Sequence, residues 1–118
     1  MNNREIGTFY EREIVLYLQN NGVRILELNF RCRQGEIDII GYDGTCLVFF
    51  EVKGRNSLRA GSGLESIHLA KQRKICRVAD QYRLQHCINE FQEMRYDCIA
   101  VDKGKIIWIK NAFYHICK

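Results

Sequence analysis

Residues 35–53 read GEIDIIGYDGTCLVFFEVK, and this stretch decides the fold. Two runs of branched and aromatic residues flank Asp43-Gly44, a strong signal for a hairpin. Three acids and a lysine nevertheless lie in these predicted strands: Glu36, Asp38, Glu51 and Lys53. Because the burial of charge is costly, the stretch predicts a β-hairpin that carries a charged site.

Side chains alternate between the two faces of a strand. Glu36 and Asp38 therefore share one face, and Glu51 and Lys53 share a face of the next strand. If the loop has an even number of residues, these faces coincide, and a two-residue turn at Asp43-Gly44 places Glu36 opposite Glu51. An odd-length loop with a bulge would break the alignment.

Adjacent like charges destabilise a sheet, and a divalent cation would relieve their repulsion. Mg²⁺ prefers carboxylate oxygens and completes its shell with water and phosphate. Lys53, on the same face, can orient a water or stabilise charge on a phosphate. The alternative is a solvated surface strand. Two features argue against it: the opposite face of the hairpin is apolar, and Ile40 and Phe49 lie on the same face as the acids.

The 118 residues are enough for one compact domain, 1–118. A hydrophobic content of 47% with 27% charged residues is typical of a globular protein. The apolar run 47–50 is too short to cross a bilayer, and the first residues lack the apolar segment of a secretory signal. We expect a cytoplasmic protein with no membrane partner.

The six cysteines are at least eleven residues apart and include no C-x-x-C pair, which argues against disulfides and zinc. We expect Cys46, Cys76 and Cys98 to be small core residues. Positive charge is concentrated from Lys53 to Arg77, where seven basic residues and one acid give +6, against +4 for the whole chain. This indicates a polyanionic partner, with a solvated helix face as the alternative.

The remaining pattern predicts an α/β fold of order α-β-β-β-α-β-β. The predicted segments are a helix over 4–20 ended by Asn20-Asn21-Gly22, strands over 23–30, 36–42 and 45–54, a loop over 54–63, a helix over 64–86 and strands over 95–101 and 105–110. Such an order is typical of a mixed sheet of about five strands flanked by helices, whose second helix crosses over to a parallel strand.

Asp38, followed by a hairpin into Glu51-Val52-Lys53 and a basic helix, resembles the PD-(D/E)xK nuclease superfamily, with Ile37 in place of the usual proline. More closely, the chain resembles the YraN family, small proteins similar to archaeal Holliday junction resolvases. The matching segments cover nearly the whole chain: GTFYEREIVLYL (7–18), NFRCRQGEIDII (29–40), VFFEVKGR (48–55), KQRKICRVADQY (71–82), RYDCIAV (95–101) and WIKNAF (108–113). The resemblance implies a restriction-endonuclease-like core.

The resemblance also implies roles for single residues. Asp38, Glu51 and the carbonyl of Val52 would be metal ligands, and Lys53 would be the catalytic lysine. In the resolvase relatives a further acid comes from the first helix.

Periodicity alone leaves Glu11 and Glu13 open for that further acid, and the resemblance selects Glu11 as a catalytic and metal-binding residue. Tyr10 stands where the family usually has glycine, which disturbs the close approach of this helix.

Glu36 matches the family but is not a standard superfamily ligand. We expect it to pair with Arg31 or Arg33, and a second metal is the alternative. Five basic residues are candidates for binding flanking phosphates, with ordinary surface charge as the alternative for each: Arg31, Arg33, Arg55, Lys71 and Arg73. The aromatic residues Phe30, Phe49, Phe50 and Trp108 are expected in the core.

Together these features predict a DNA endonuclease that uses Mg²⁺ or Mn²⁺ and acts on branched or junction DNA. The first alternative is a nucleic-acid-binding module on the same fold without significant catalysis, and the second is a protein-interaction adaptor. Resolvase relatives act as two-fold dimers because a junction presents two symmetric strands, so the resemblance raises a homodimer as an alternative to a monomer.

Overall fold

The computed structural model describes residues 3–53 and 67–116, with side chains from residue 11 onward. The elements in these ranges are α1 (Asn3–Asn20), β1 (Val23–Cys32), β2 (Gly35–Asp43), β3 (Cys46–Lys53), α2 (Leu69–Gln85), β4 (Met94–Asp102) and β5 (Lys105–Phe113). This is the predicted order, and the α/β class is confirmed. No helix within the described ranges is long and apolar enough to cross a membrane.

The five strands form one mixed sheet in chain order, β1-β2-β3-β4-β5. Neighbouring strands are antiparallel except β3 and β4, which are parallel. Parallel neighbours require a crossover connection, and α2 lies within it. The predicted parallel pairing after the second helix is therefore confirmed.

Both faces of the sheet are buried, each under one helix. Ile14 and Leu18 of α1 pack with Phe50 on one face, while Ile75 of α2 packs with Phe49 on the other. Consecutive residues of β3 thus belong to opposite cores, which explains why this strand reads as an almost continuous apolar run. The aromatic residues predicted for the core are buried, apart from the half-buried Trp108.

The β2–β3 turn consists of two residues, as predicted, but they are Gly44 and Thr45. Asp43 stays in the ladder opposite Cys46, and Gly44 adopts a φ of +65° that favours glycine. The predicted position of the turn was one residue too early, so the predicted pairing of Glu36 with Glu51 is wrong by two residues. The number of loop residues is still even, but the predicted alternation of faces breaks in β2, where Ile37 packs in the core under α2 and Ile39 in the core under α1.

The helix ends show one confirmed prediction and one wrong boundary. The side chain of Asn21 donates to the Tyr17 carbonyl at 2.8 Å and ends α1 at the predicted place. The second helix begins at Leu69 rather than at 64. His68 before it has an extended ψ of 144°, and Gln72 closes the first turn by donating its side-chain amide to the carbonyl of residue 67 at 2.8 Å. The predicted loop 54–63 and residues 64–66 lie outside the described residues.

Candidate active site

The candidate site forms where β2 and β3 separate. Their ladder ends at the pair Ile39–Phe50, and beyond it Val52 donates its backbone N–H to Oδ2 of Asp38 at 2.9 Å. A main-chain N–H at such a fork needs an acceptor, and the Asp38 side chain replaces the main chain of β2 in that role. This hydrogen bond holds the carboxylate between the two strands.

Asp38 and Glu51 share one cavity. If the ladder is extended by one pair, Asp38 lies across from Glu51, and both residues line a cavity of about 320 Å³ between the sheet and α2. The other lining residues come from the β1–β2 turn, from β2 and from α2: Gln34, Gly35, Glu36, Lys71, Lys74 and Ile75. The structure therefore brings together two of the predicted metal ligands.

Burial works against the negative charges of this pair. The pKa of Asp38 is raised to about 6 from an ordinary value of 3.8. Burial is the main cause and the charges of Glu51 and Glu36 act in the same direction, while the Val52 N–H and Lys71 oppose the rise. Burial also raises the pKa of Glu51, and here Lys71 is the strongest opposing influence. Two carboxylates that resist joint ionisation form a place where positive charge is stabilising.

Two lysines approach Glu51 from different elements. Nζ of Lys71, in the first turn of α2, lies 3.4 Å from Glu51 Oε1. Lys53, two residues after Glu51 and on the same face of β3, also acts against the rise of the Glu51 pKa. Lys53 is half-buried at the end of the strand.

Glu11 is not brought into this cavity. Its carboxylate accepts the side-chain amide of Asn29 at 2.9 Å, and it lines a separate cavity between α1 and β1 with Val15 and Leu28. The physical reason is that Ile14 packs α1 on the opposite face of the sheet from α2. Among residues 11–53 and 67–116, no three His, Cys, Asp or Glu side chains come close enough to hold a metal ion. The role of Glu11 as a ligand stays a prediction.

Glu36 makes the expected ion pair. Arg31 and Glu36 lie opposite each other on β1 and β2, and Arg31 Nε donates to Glu36 Oε1 at 2.9 Å. The Arg31 side chain is 76% exposed, so the pair lies at the rim of the cavity and leaves guanidinium nitrogens accessible.

The other arginines that were predicted to bind phosphate are not among the residues that line the cavity in the described part of the chain. Arg33 and Arg73 are exposed, and Arg55 lies outside the described residues. Lys74 was not among the predicted site residues although it lines the cavity. Its spacing of three residues from Lys71 on a helix is the signal that could have revealed it.

Comparison with known proteins assigns the chain to a family. The sequence model of that family matches residues 10–101, which include every predicted site residue. The chain belongs to the uncharacterised protein family UPF0102. This confirms the resemblance to the YraN family.

Members of UPF0102 from distant bacteria are similar over nearly their full length. A UPF0102 protein of Legionella pneumophila (strain Corby) is 39% identical over 112 residues, covering 93% of this chain and 95% of the relative. A UPF0102 protein of Lachnoclostridium phytofermentans is 41% identical over 113 residues and covers 96% of each chain. A UPF0102 protein of Clostridium botulinum (strain Hall) is 43% identical over 117 residues, covering 94% of this chain and 95% of the relative.

Sequence reasoning missed a second polar cluster of this UPF0102 chain, at the far end of the sheet. Asp97 is fully buried and accepts hydrogen bonds from Arg95 Nε at 2.9 Å, from Trp108 Nε1 at 2.8 Å and from the backbone N–H of Asn111 at 3.0 Å. Arg95 also pairs with Asp43 at 2.8 Å. These bonds join β2, β4 and β5, so the matching segments 95–101 and 108–113 have a structural explanation.

Proposed function

We propose that this UPF0102 chain is a divalent-metal-dependent endonuclease that hydrolyses phosphodiester bonds in DNA. The observation that carries the proposal is the meeting of Asp38 and Glu51 in one cavity, with the ammonium of Lys71 3.4 Å from Glu51. Acids at a fork between strands, next to the cations that a phosphate needs, suit phosphodiester hydrolysis.

The donor set fits a hard cation such as Mg²⁺ or Mn²⁺. Mg²⁺ is commonly bound by one or two carboxylates and keeps several waters, so Asp38, Glu51 and the carbonyl of Val52 would suffice without a third acidic side chain. Burial raises the pKa values of both acids, and the nearby lysines offset this only in part, so further positive charge would be stabilising. When bound, the cation would lower the pKa of a water and stabilise charge on the phosphate.

The protein's own groups would orient the reaction. Lys53, on the face of Glu51, would hold the attacking water or the phosphate oxygen. The water oxygen bonds to phosphorus as the P–O3′ bond breaks, and the 3′ oxygen takes up a proton, which leaves a 5′-phosphate and a 3′-hydroxyl. The exposed cations Arg33 and Arg73 would bind flanking phosphates.

The proposed substrate is branched or junction DNA. The proposed location of the protein is the cytoplasm. A junction presents two symmetric strands, so the proposal includes a homodimer. The molar mass of the free protein and of its junction complex, measured by light scattering, tests the dimer separately from cleavage.

The rival candidate is a nucleic-acid-binding module without significant catalysis. One observation favours it: within the described part of the chain no three His, Cys, Asp or Glu side chains are grouped so as to hold a metal ion, and Glu36, the third acid of the cavity, is paired with Arg31. Both candidates predict DNA binding, and only the first predicts turnover.

The experiment that separates them is cleavage of branched, flapped and single-stranded DNAs in Mg²⁺ or Mn²⁺. Wild type should cut at least one substrate, and Asp38→Asn should not. Glu90→Gln, which removes an exposed acid outside the cavity, is the control and should cut like wild type. A wild-type protein that binds these DNAs but cleaves none in either metal would decide for the binding module.

A further inference from the structure

The ion pair between Lys71 and Glu51 joins two side chains of unequal freedom. The Glu51 side chain is 11% exposed, whereas that of Lys71 is 51% exposed. Glu51 lies on β3, where it pairs with Cys98 of β4 and directly follows the last pair of the β2–β3 ladder, and Lys71 lies in the first turn of α2. The carboxylate is therefore fixed, and the lysine, with its long stem, is the partner that can move.

The ammonium and a divalent cation would compete for the same carboxylate. A hard cation binds a carboxylate oxygen at about 2.1 Å, and the Lys71 ammonium already lies 3.4 Å from Glu51 Oε1. Positive charges at such a separation repel each other, so binding of the cation would drive Lys71 away from Glu51. Lys71 lines the cavity in which the DNA phosphate is proposed to bind, so the released ammonium would lie close to that phosphate.

We propose that Lys71 is an exchangeable counter-ion, which pairs with Glu51 until a divalent cation binds and then contacts a DNA phosphate. This inference rests on the proposed function and adds its regulation, because one lysine would couple metal binding to DNA binding. Such a coupling is reciprocal: metal strengthens DNA binding, and DNA strengthens metal binding.

Lys74 provides the matched control. It has the same side chain, lies one turn further along α2 and lines the same cavity, but among the described residues it makes no ion pair with Glu51. Lys71→Met and Lys74→Met each remove one positive charge from the cavity, so a difference between them reports the contact with Glu51 rather than the general field.

The first test is calorimetric titration of Mg²⁺ alone at pH 8. Lys71→Met should bind Mg²⁺ about two- to fivefold more tightly than Lys74→Met, as expected for release of a partly exposed ion pair. Lys71→Gln should repeat the result, and thermal melting shows that all variants are folded. Equal affinities in Lys71→Met and Lys74→Met would overturn the inference while leaving the metal site intact. If wild type binds no Mg²⁺, the proposed function and this inference both fail.

The second test is the salt dependence of binding to a short junction DNA, with and without Ca²⁺, another cation that takes oxygen ligands. For wild type and Lys74→Met, the slope of log K against log salt should steepen by about one in Ca²⁺ as Lys71 gains a phosphate. For Lys71→Met the slope should not change with Ca²⁺. A slope that steepens equally in Lys71→Met would show that another group binds the phosphate.

Discussion

Replacement of Asp38 by asparagine should stabilise the protein in the absence of divalent metal. Asparagine has nearly the same shape, and its side-chain oxygen can still accept the Val52 N–H that Asp38 accepts at 2.9 Å. The substitution removes a charge that burial and the neighbouring Glu51 and Glu36 oppose. The cost of that charge is therefore removed while the hydrogen bond is kept.

The magnitude follows from the pKa of Asp38, which is about 6 in the folded protein against an ordinary value of 3.8. Each unit of pKa corresponds to about 1.36 kcal/mol, so ionised Asp38 lowers the free energy of unfolding by about 3 kcal/mol. Because the folded pKa is the higher one, the folded state holds more protons between these values. The free energy of unfolding of wild type therefore falls by about 3 kcal/mol as pH rises from about 4 to about 7, as Asp38 becomes ionised. Asp38→Asn has no such carboxylate and should not show this decrease.

Urea denaturation at several pH values between 4 and 8, in a chelator, measures the effect. Asp38→Asn should exceed wild type by up to about 3 kcal/mol at pH 7.5, with a difference that shrinks toward pH 4. Glu90→Gln, an exposed replacement, should stay within about 0.5 kcal/mol of wild type. If Asp38→Asn is no more stable than wild type at pH 7.5, the carboxylate is not buried beside Glu51 in the way described, and the case for a metal there loses its main support.

Three further outcomes are expected. Glu51→Gln should lose metal-dependent cleavage by orders of magnitude in a nuclease assay, and full cleavage would exclude Glu51 as a metal ligand. In a gel-shift assay without metal it should bind DNA at least as well as wild type, because a charge that repels phosphate has been removed. The double variant Arg33→Ala, Arg73→Ala should reduce the salt slope of DNA binding by about one for each phosphate that is no longer bound, and an unchanged slope would show that these exposed residues only contact solvent. Asp97→Ala should lower the free energy of unfolding by about 3–5 kcal/mol, because the largely buried charge of Arg95 would lose its main partner. A decrease of less than about 1 kcal/mol in urea denaturation would contradict the described hydrogen-bond network.

The even loop predicted that the acids of the two strands meet, and Asp38 and Glu51 do line one cavity. Alternation was only a partial guide, because the period of two breaks in β2, where Ile37 and Ile39 pack in opposite cores. The register was not predictable in the same way. Asp43 was expected in the turn because Asp-Gly favours one, but its carboxylate pairs with Arg95 of β4 at 2.8 Å and it remains in the ladder. An interaction with a residue 52 positions away thus outweighed the local preference.

The position of Glu11 shows a second limit. The spacing of residues showed that Glu11 lies on the same helical face as Ile14 and Leu18. The spacing did not show on which face of the sheet that helix packs. The structure places α1 on the core of Phe50, away from α2. The buried Asp97 could not be predicted either, because its partners come from β4 and β5 and no local pattern marks a buried carboxylate.

The parallel pairing of β3 with β4 sets the order in which the protein can be completed during synthesis. Every β3 residue from Leu47 onward pairs with one 47 positions later, as Leu47 does with Met94 and Lys53 with Ala100. Contacts of such long range form late, because the chain between them must be closed first. A nascent or truncated chain that stops before β4 contains both site acids but lacks the strand that fixes one side of β3. Its apolar edge would be exposed to chaperones and proteases until β4 has been synthesised and has paired with β3.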